Sequence, residues 1–254
     1  DVCSSDLVQP AGMEIMDNFT LNAVNDLFGR KEYPEDARAV LLIELDGQEE
    51  EVAAAVEIAD GLCRQAGART IRRATDPADC ALLWKGRKSA FAAVGRITPT
   101  YYVQDGVVPR SALPNVLGAI EALSRSYHLP VANVFHAGDG NLHPLILYRA
   151  QEEGVAERVQ ALGADILQLC LEAGGSITGE HGVGNDKRCY LDWMYGADDL
   201  ATMQLVRGAF DPAGLANPGK LFPTPSSCGE SARRLQAQPE PPADTARGEP
   251  VEVF

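Results

Sequence analysis

No stretch of this 254-residue chain approaches the roughly 18 consecutive apolar residues of a membrane-crossing helix, and the mostly apolar stretch 39–45 is bounded by Arg38 and Asp46. A spanning helix is therefore excluded. Positive charge is also scarce: 22 Lys and Arg face 36 Asp and Glu, and the formal charge of −14 disfavours sequence-independent nucleic-acid binding because it repels a polyphosphate. The six cysteines (Cys3, Cys63, Cys80, Cys170, Cys189 and Cys228) include no CxxC pair, so neither a zinc ribbon nor a dense disulfide framework is expected, and the compartment reads as reducing. A basic n-region and an apolar h-region are both missing from the first dozen residues, so no secretory leader is expected there. Two glycine-rich segments exist, but neither fits GxGxxG after a strand or GxxxxGK[ST] before a helix, which argues against a Rossmann or P-loop site. No repeat at a solenoid period is found.

What is present is a globular composition, 45% apolar and 23% charged, with enough chain for one large or two small domains. Residues 1–7 (DVCSSDL) resemble a cloning or assembly scar and are expected to be a non-native leader. From residue 224 to 254, Pro, Ser, Ala, Gly and charged residues dominate, which predicts a disordered tail. Residues 8–223 are treated as one unit. Within it, residues 40–45 read as a buried strand, and Val52, Val56, Ala59, Leu62 and Cys63 recur at helical spacing up to Gly67. Residues 70–74 read as a further strand, and Asp76-Pro77 as the N-cap and first turn of a helix. Residues 101–103 read as a strand, followed by a helix from a Ser111 cap with Leu113, Val116, Leu117, Ile120 and Leu123 on its dry face. A hairpin is expected around Gly138-Asp139-Gly140-Asn141, then a helix over 155–173 that stops at Gly174-Gly175. This order predicts an α+β, ferredoxin-like fold: an antiparallel or mixed sheet with helices over one face, and a helical C-terminal segment.

Chemistry concentrates in few places. Of four histidines, His136, His143 and His181 lie in the glycine-rich segments, while His128 stands alone and reads as an ordinary surface or core residue. In His136-Ala137-Gly138-Asp139-Gly140-Asn141-Leu142-His143, a turn centred on Asp139-Gly140 sets 136 and 143 directly opposite, where Cβ atoms lie about 4.5–5.5 Å apart and two imidazoles can share one cation. Asp139 reads as a turn-former rather than a ligand. The second segment, residues 174–184 (GGSITGEHGVG), adds Glu180 beside His181, which could complete a His-His-Glu site. Without a cation the same segments are merely tight turns.

These two segments, with Asn217-Pro218-Gly219-Lys220 and Leu83-Trp84-Lys85-Gly86-Arg87-Lys88, resemble the C-terminal half of FAD-linked 2-hydroxy-acid dehydrogenases. That family includes glycolate oxidase and the D-lactate and D-2-hydroxyglutarate dehydrogenases, and the likeness runs over about 12–223. The resemblance implies a cap or substrate domain, joined in the complete protein to an N-terminal FAD-binding domain that is absent from this chain. It implies a divalent cation (Zn, Mn or Fe) held by His136, His143 and Glu180, with His181 as the base for the substrate hydroxyl. It further implies Arg87 on the substrate carboxylate, Asn217 against the flavin, and Glu180 and His181 beside the cofactor. Where some relatives carry a lysine, this chain has Val103, so a short monocarboxylate such as glycolate or D-lactate is expected over a dicarboxylate. Electron-acceptor subunits are implied as partners. The setting implied is cytoplasmic, or peripheral at the inner membrane through those subunits.

Two rival functions remain at this point. One is a stand-alone metal-dependent hydrolase using the same three ligands on water. The other is a non-catalytic ferredoxin-like interaction module.

Overall fold

In the computed structural model, residues 8–223 are described; the expected leader (1–7) and tail (224–254) lie outside them. The order is β1 (Gly12–Asp17), α1 (Asn18–Phe28), β2 (Ala39–Glu44), α2 (Glu49–Gln65), α3 (Pro77–Ile97), β3 (Tyr101–Val103), β4 (Gly106–Val107), α4 (Leu113–Tyr127), β5 (Val131–His136), β6 (Asn141–Leu142), β7 (Pro144–Leu147), α5 (Val155–Glu172) and α6 (Ala197–Phe210). Every strand pairing among these is antiparallel, in the order β2-β1-β5-β6-β4, with β7 joining β5 to β3. The expected α+β fold with an antiparallel sheet and a helical C-terminal segment is present. Among the described residues no helix is long and apolar enough to cross a membrane.

Strand periodicity of two splits β5 between two cores. Val131 and Phe135 join Val116 and Ile120 of α4 and Val159, Leu162 and Ile166 of α5. Ala132 and Val134 join Leu21 and Val24 of α1 and Ala90, Ala93 and Val94 of α3. Helices therefore lie on both faces, where a single layer was expected. Both faces of the run VANVF are apolar, so a one-sided alternation never develops and each face needs its own cover. Residues 13–17 of β1 extend the same division: Met16 faces α1 and α3, while Met13 and Ile15 pack with α4 and α5.

Asp17 fastens the central pair. Its Oδ1 accepts from the Thr20 N–H at 2.9 Å, capping α1, and its Oδ2 accepts from the Asn133 N–H at 2.8 Å. Burial raises the Asp17 carboxyl above its ordinary value despite these bonds. Asp76 caps α3 as expected, accepting from the Asp79 N–H at 2.8 Å.

Three local expectations fail for identifiable reasons. Residues 70–74 form no strand; adjacent Arg72 and Arg73 leave no apolar face, and they pair instead with Asp79, Glu32, Glu57 and Asp60. Ser111 does not cap α4, because it falls inside a short 3-10 turn, Arg110–Ala112, that begins after Pro109. Asp211 does not begin a helix but ends α6, its carboxylate accepting from the Leu215 and Ala216 N–H groups at 2.9 Å each. No residue of α6 is buried, and Leu205 and Phe210 are 75% and 88% exposed.

Candidate functional site

The site grows from the β5–β6 hairpin. Residues 137–140 form the turn, and Gly140 adopts φ +70°, with its backbone against Val108, whose N–H donates to the Gly140 carbonyl at 3.0 Å. A Cβ at Gly140 would lie 2.1 Å from the Val108 carbonyl oxygen, so the turn tolerates glycine alone. This turn sets the register His136↔Asn141. His143 is thus two residues beyond the partner of His136 and sits diagonally, not directly opposite as the sequence suggested. Because that offset is even, both imidazoles still share one face, with ring centroids 5.3 Å apart.

The second glycine segment lies over this face. Gly175 permits Ser176 to pair with Val107, since a Cβ there would be 1.7 Å from the Val107 carbonyl oxygen. Gly179 rests on the Asn141 side chain. Glu180 Oε1 consequently lies 3.0 Å from His143 Nε2, 3.6 Å from His181 Nε2 and 3.9 Å from His136 Nε2. The rings of His143 and His181 stack at 5.1 Å. His143 is buried, whereas His136, Glu180 and His181 remain open to solvent. Burial depresses the His143 pKa, with Glu180 opposing and the two other imidazoles assisting, which favours a neutral ring.

Three functional neighbours escaped the sequence reading. Asp105, wholly buried between β3 and β4, accepts from Thr178 Oγ1 at 2.7 Å and from the N–H groups of Gly179, His181 and Glu180 at 2.9, 3.0 and 3.2 Å. Lys187 is buried too, and its Nζ donates to the Asp105 carbonyl at 2.7 Å and to its carboxylate at 3.2 Å. Burial alone would raise the Asp105 carboxyl; Thr178, Lys187 and the loop N–H groups outweigh it and hold the group well below the ordinary carboxylate range. Burial lowers the Lys187 pKa, with Asp105 opposing. The third neighbour is Glu14, directly across from His136 on β1. Its Oε1 is 2.5 Å from His136 Nδ1 and its Oε2 accepts from Arg87 Nε at 2.8 Å. Arg87 therefore reaches the site from the middle of α3, nearly buried and ion-paired.

Asn217 is not among the clustered side chains. It takes φ +47° beyond α6, its Oδ1 accepts from Lys220, and it borders an open groove of about 480 Å³ with Gly184, Arg207, Phe210 and Leu221. The Leu221 N–H donates to the Gly184 carbonyl at 2.8 Å, tying this groove to the end of the glycine segment. His128 merely ends α4 in the left-handed conformation, and Asp139 lies in the turn, as expected of both.

The donors fit a divalent cation. Ligand atoms of His136, His143 and Glu180 lie within 4.8 Å of one another, as do those of Asp105, His143 and His181. Two imidazole nitrogens and a carboxylate oxygen form a set that suits zinc and similar metals while leaving coordination positions open. His143 Nδ1 is moreover buried with no hydrogen-bond partner among the described residues.

Comparison with known proteins identifies the framework. Residues 2–221 match the family model described as FAD linked oxidases, C-terminal domain. The chain is 49% identical to glycolate oxidase subunit GlcD of Escherichia coli (strain K12) over 91% of its own length and 46% of that protein's. It is 36% identical to the subunit GlcD of Bacillus subtilis (strain 168), over 87% and 47% of the two chains. It is 29% identical to the mitochondrial D-lactate dehydrogenase [cytochrome] of Kluyveromyces lactis, over 87% and 40%. The chain thus spans about half the length of these relatives. A solved structure, 4-ethylphenol oxidase from Gulosibacter chungangensis in its isoeugenol complex, shares the fold with a TM-score of 0.57 at 13% identity, over 83% of this chain and 47% of that one. The chain belongs to the FAD-linked oxidase C-terminal domain family.

Proposed function

We propose that this chain is the substrate-binding half of a flavin-dependent dehydrogenase that oxidises a short 2-hydroxy acid, glycolate or D-lactate, to the 2-oxo acid. The observation that carries this reading is the convergence of three imidazole nitrogens on one oxygen of Glu180, within 3.0 to 3.9 Å. His136, His143 and Glu180 would hold the divalent cation. When bound, that ion supplies Lewis acidity, which lowers the pKa of an alcohol at the site. FAD, implied by the family, supplies the acceptor for two electrons.

The chain's own residues do the rest. His181, half exposed beside Glu180, takes the hydroxyl proton; a neutral imidazole suits that task near pH 7. Arg87 has its Nε engaged by Glu14, leaving the terminal nitrogens of the fork to grip the substrate carboxylate. Asp105 and Lys187 hold the backbone of 179–181 so that Glu180 and His181 stay aimed at the same point. Asn217 and its groove would border the flavin, and electrons would pass on to acceptor subunits in a cytoplasmic or membrane-peripheral complex.

The test is turnover. Expressed joined to an FAD-binding domain, in the full-length protein, the chain is expected to support dye reduction by glycolate or D-lactate. Absence of turnover with every short 2-hydroxy acid overturns the reading.

A further inference from the structure

We propose that Glu14 is a positioning residue whose two carboxylate oxygens lock His136 and Arg87 into one unit, so that the cation ligand and the carboxylate-binding arginine cannot be oriented independently. This rests on the ligand role of His136 and the anion-binding role of Arg87 proposed above. The geometry comes from three separate elements: β1 delivers Glu14 opposite His136 of β5, and α3 delivers Arg87. Glu14 and Arg87 are both nearly buried, with side chains 9% and 12% exposed, so water is a poor substitute for either partner.

The hydrogen-bond inventory makes the arrangement directional. Arg87 Nε is always a donor, so Glu14 Oε2 must accept from it. Oε1 then accepts from His136 Nδ1, which places a ring proton on that nitrogen and turns Nε2 toward Glu180. A ligating histidine held through its other nitrogen by a carboxylate is a recurrent device for fixing the ring and its tautomer. Only a carboxylate serves both neighbours. A glutamine in its place offers one acceptor oxygen, and its NH2 must then face either the Arg87 N–H or the His136 N–H.

The test uses zinc calorimetry and nitrogen-15 histidine spectra of the chain at about pH 8, above the ordinary imidazole pKa. In the native chain without zinc, His136 is expected to carry its proton on Nδ1. Glu14→Gln should populate the Nε2-protonated form and weaken zinc binding about 10- to 100-fold while circular dichroism stays unchanged. Adding Arg87→Met removes the opposing donor, lets the introduced amide oxygen turn to His136, and is expected to restore both the tautomer and most of the affinity. This double variant also serves if the single substitution prevents folding. Unchanged tautomer and unchanged zinc affinity in Glu14→Gln overturn the proposal, as does a double variant that recovers neither. A native chain that takes up no divalent cation overturns the metal reading instead, and the tautomer shift alone then decides the role of Glu14.

Discussion

The same chemistry of cation beside carboxylate appears in two parts of this molecule with opposite consequences. Around α2 and the start of α3, Arg69 pairs with Asp36, Arg72 with Asp79, and Arg73 with Glu57, all on arginines that are 41 to 61% exposed. At the site, Lys187 pairs with Asp105 and Arg87 with Glu14, all of them 12% exposed or less. Exposed pairs trade water for a partner at little net gain. Buried pairs are not strong because they attract; they are costly to break, since removing one member strands a charge away from water. The surface pairs decorate the fold, whereas the buried ones fix the site.

That contrast can be broken by experiment. The largest effect is expected from Lys187→Met, which leaves the Asp105 carboxylate without its cation and should cost about 3–5 kcal/mol in urea unfolding; a loss near zero would erase the distinction. His181→Ala should do the reverse. Turnover of the full-length flavoprotein is expected to fall by a factor on the order of 10² or more, with the unfolding midpoint unmoved, because this ring is an open member of the cluster. Acid titration gives a smaller, graded effect. The Asp105 pKa is depressed from its ordinary 3.8, so its stabilisation is complete above that value and lost as pH falls toward the folded one. Unfolding free energy should therefore decline with acid below about pH 5, and Asp105→Asn should flatten that slope. The smallest effect is expected from Arg69→Gln, whose midpoint should match the parent within measurement scatter.

Legibility from sequence followed the same divide between local and distant. His136, His143, Glu180 and His181 were visible because each lies in a short glycine-rich segment whose turns bring neighbours together. Even there the register was read two residues off, because the turn spans 137–140 and not a two-residue centre. Glu14, Asp105 and Lys187 were invisible: Glu14 is 122 residues from His136, and Asp105 is 82 from Lys187. Single acids in a chain with 36 of them carry no signal, and Asp105-Gly106 looks like a turn. The strand expected at 70–74 failed because β-branched and aliphatic residues there must share the segment with adjacent arginines that seek solvent.

Asp105 gathers a hydroxyl and three successive peptide N–H groups from residues 178–181 onto one pair of oxygens. Peeling that segment away removes four of the carboxylate's hydrogen-bond donors at once and leaves it Lys187, so intermediate positions have little to recommend them. Glu180 and His181 therefore arrive over the hairpin together or not at all, which makes assembly of this face a switch and not a dial.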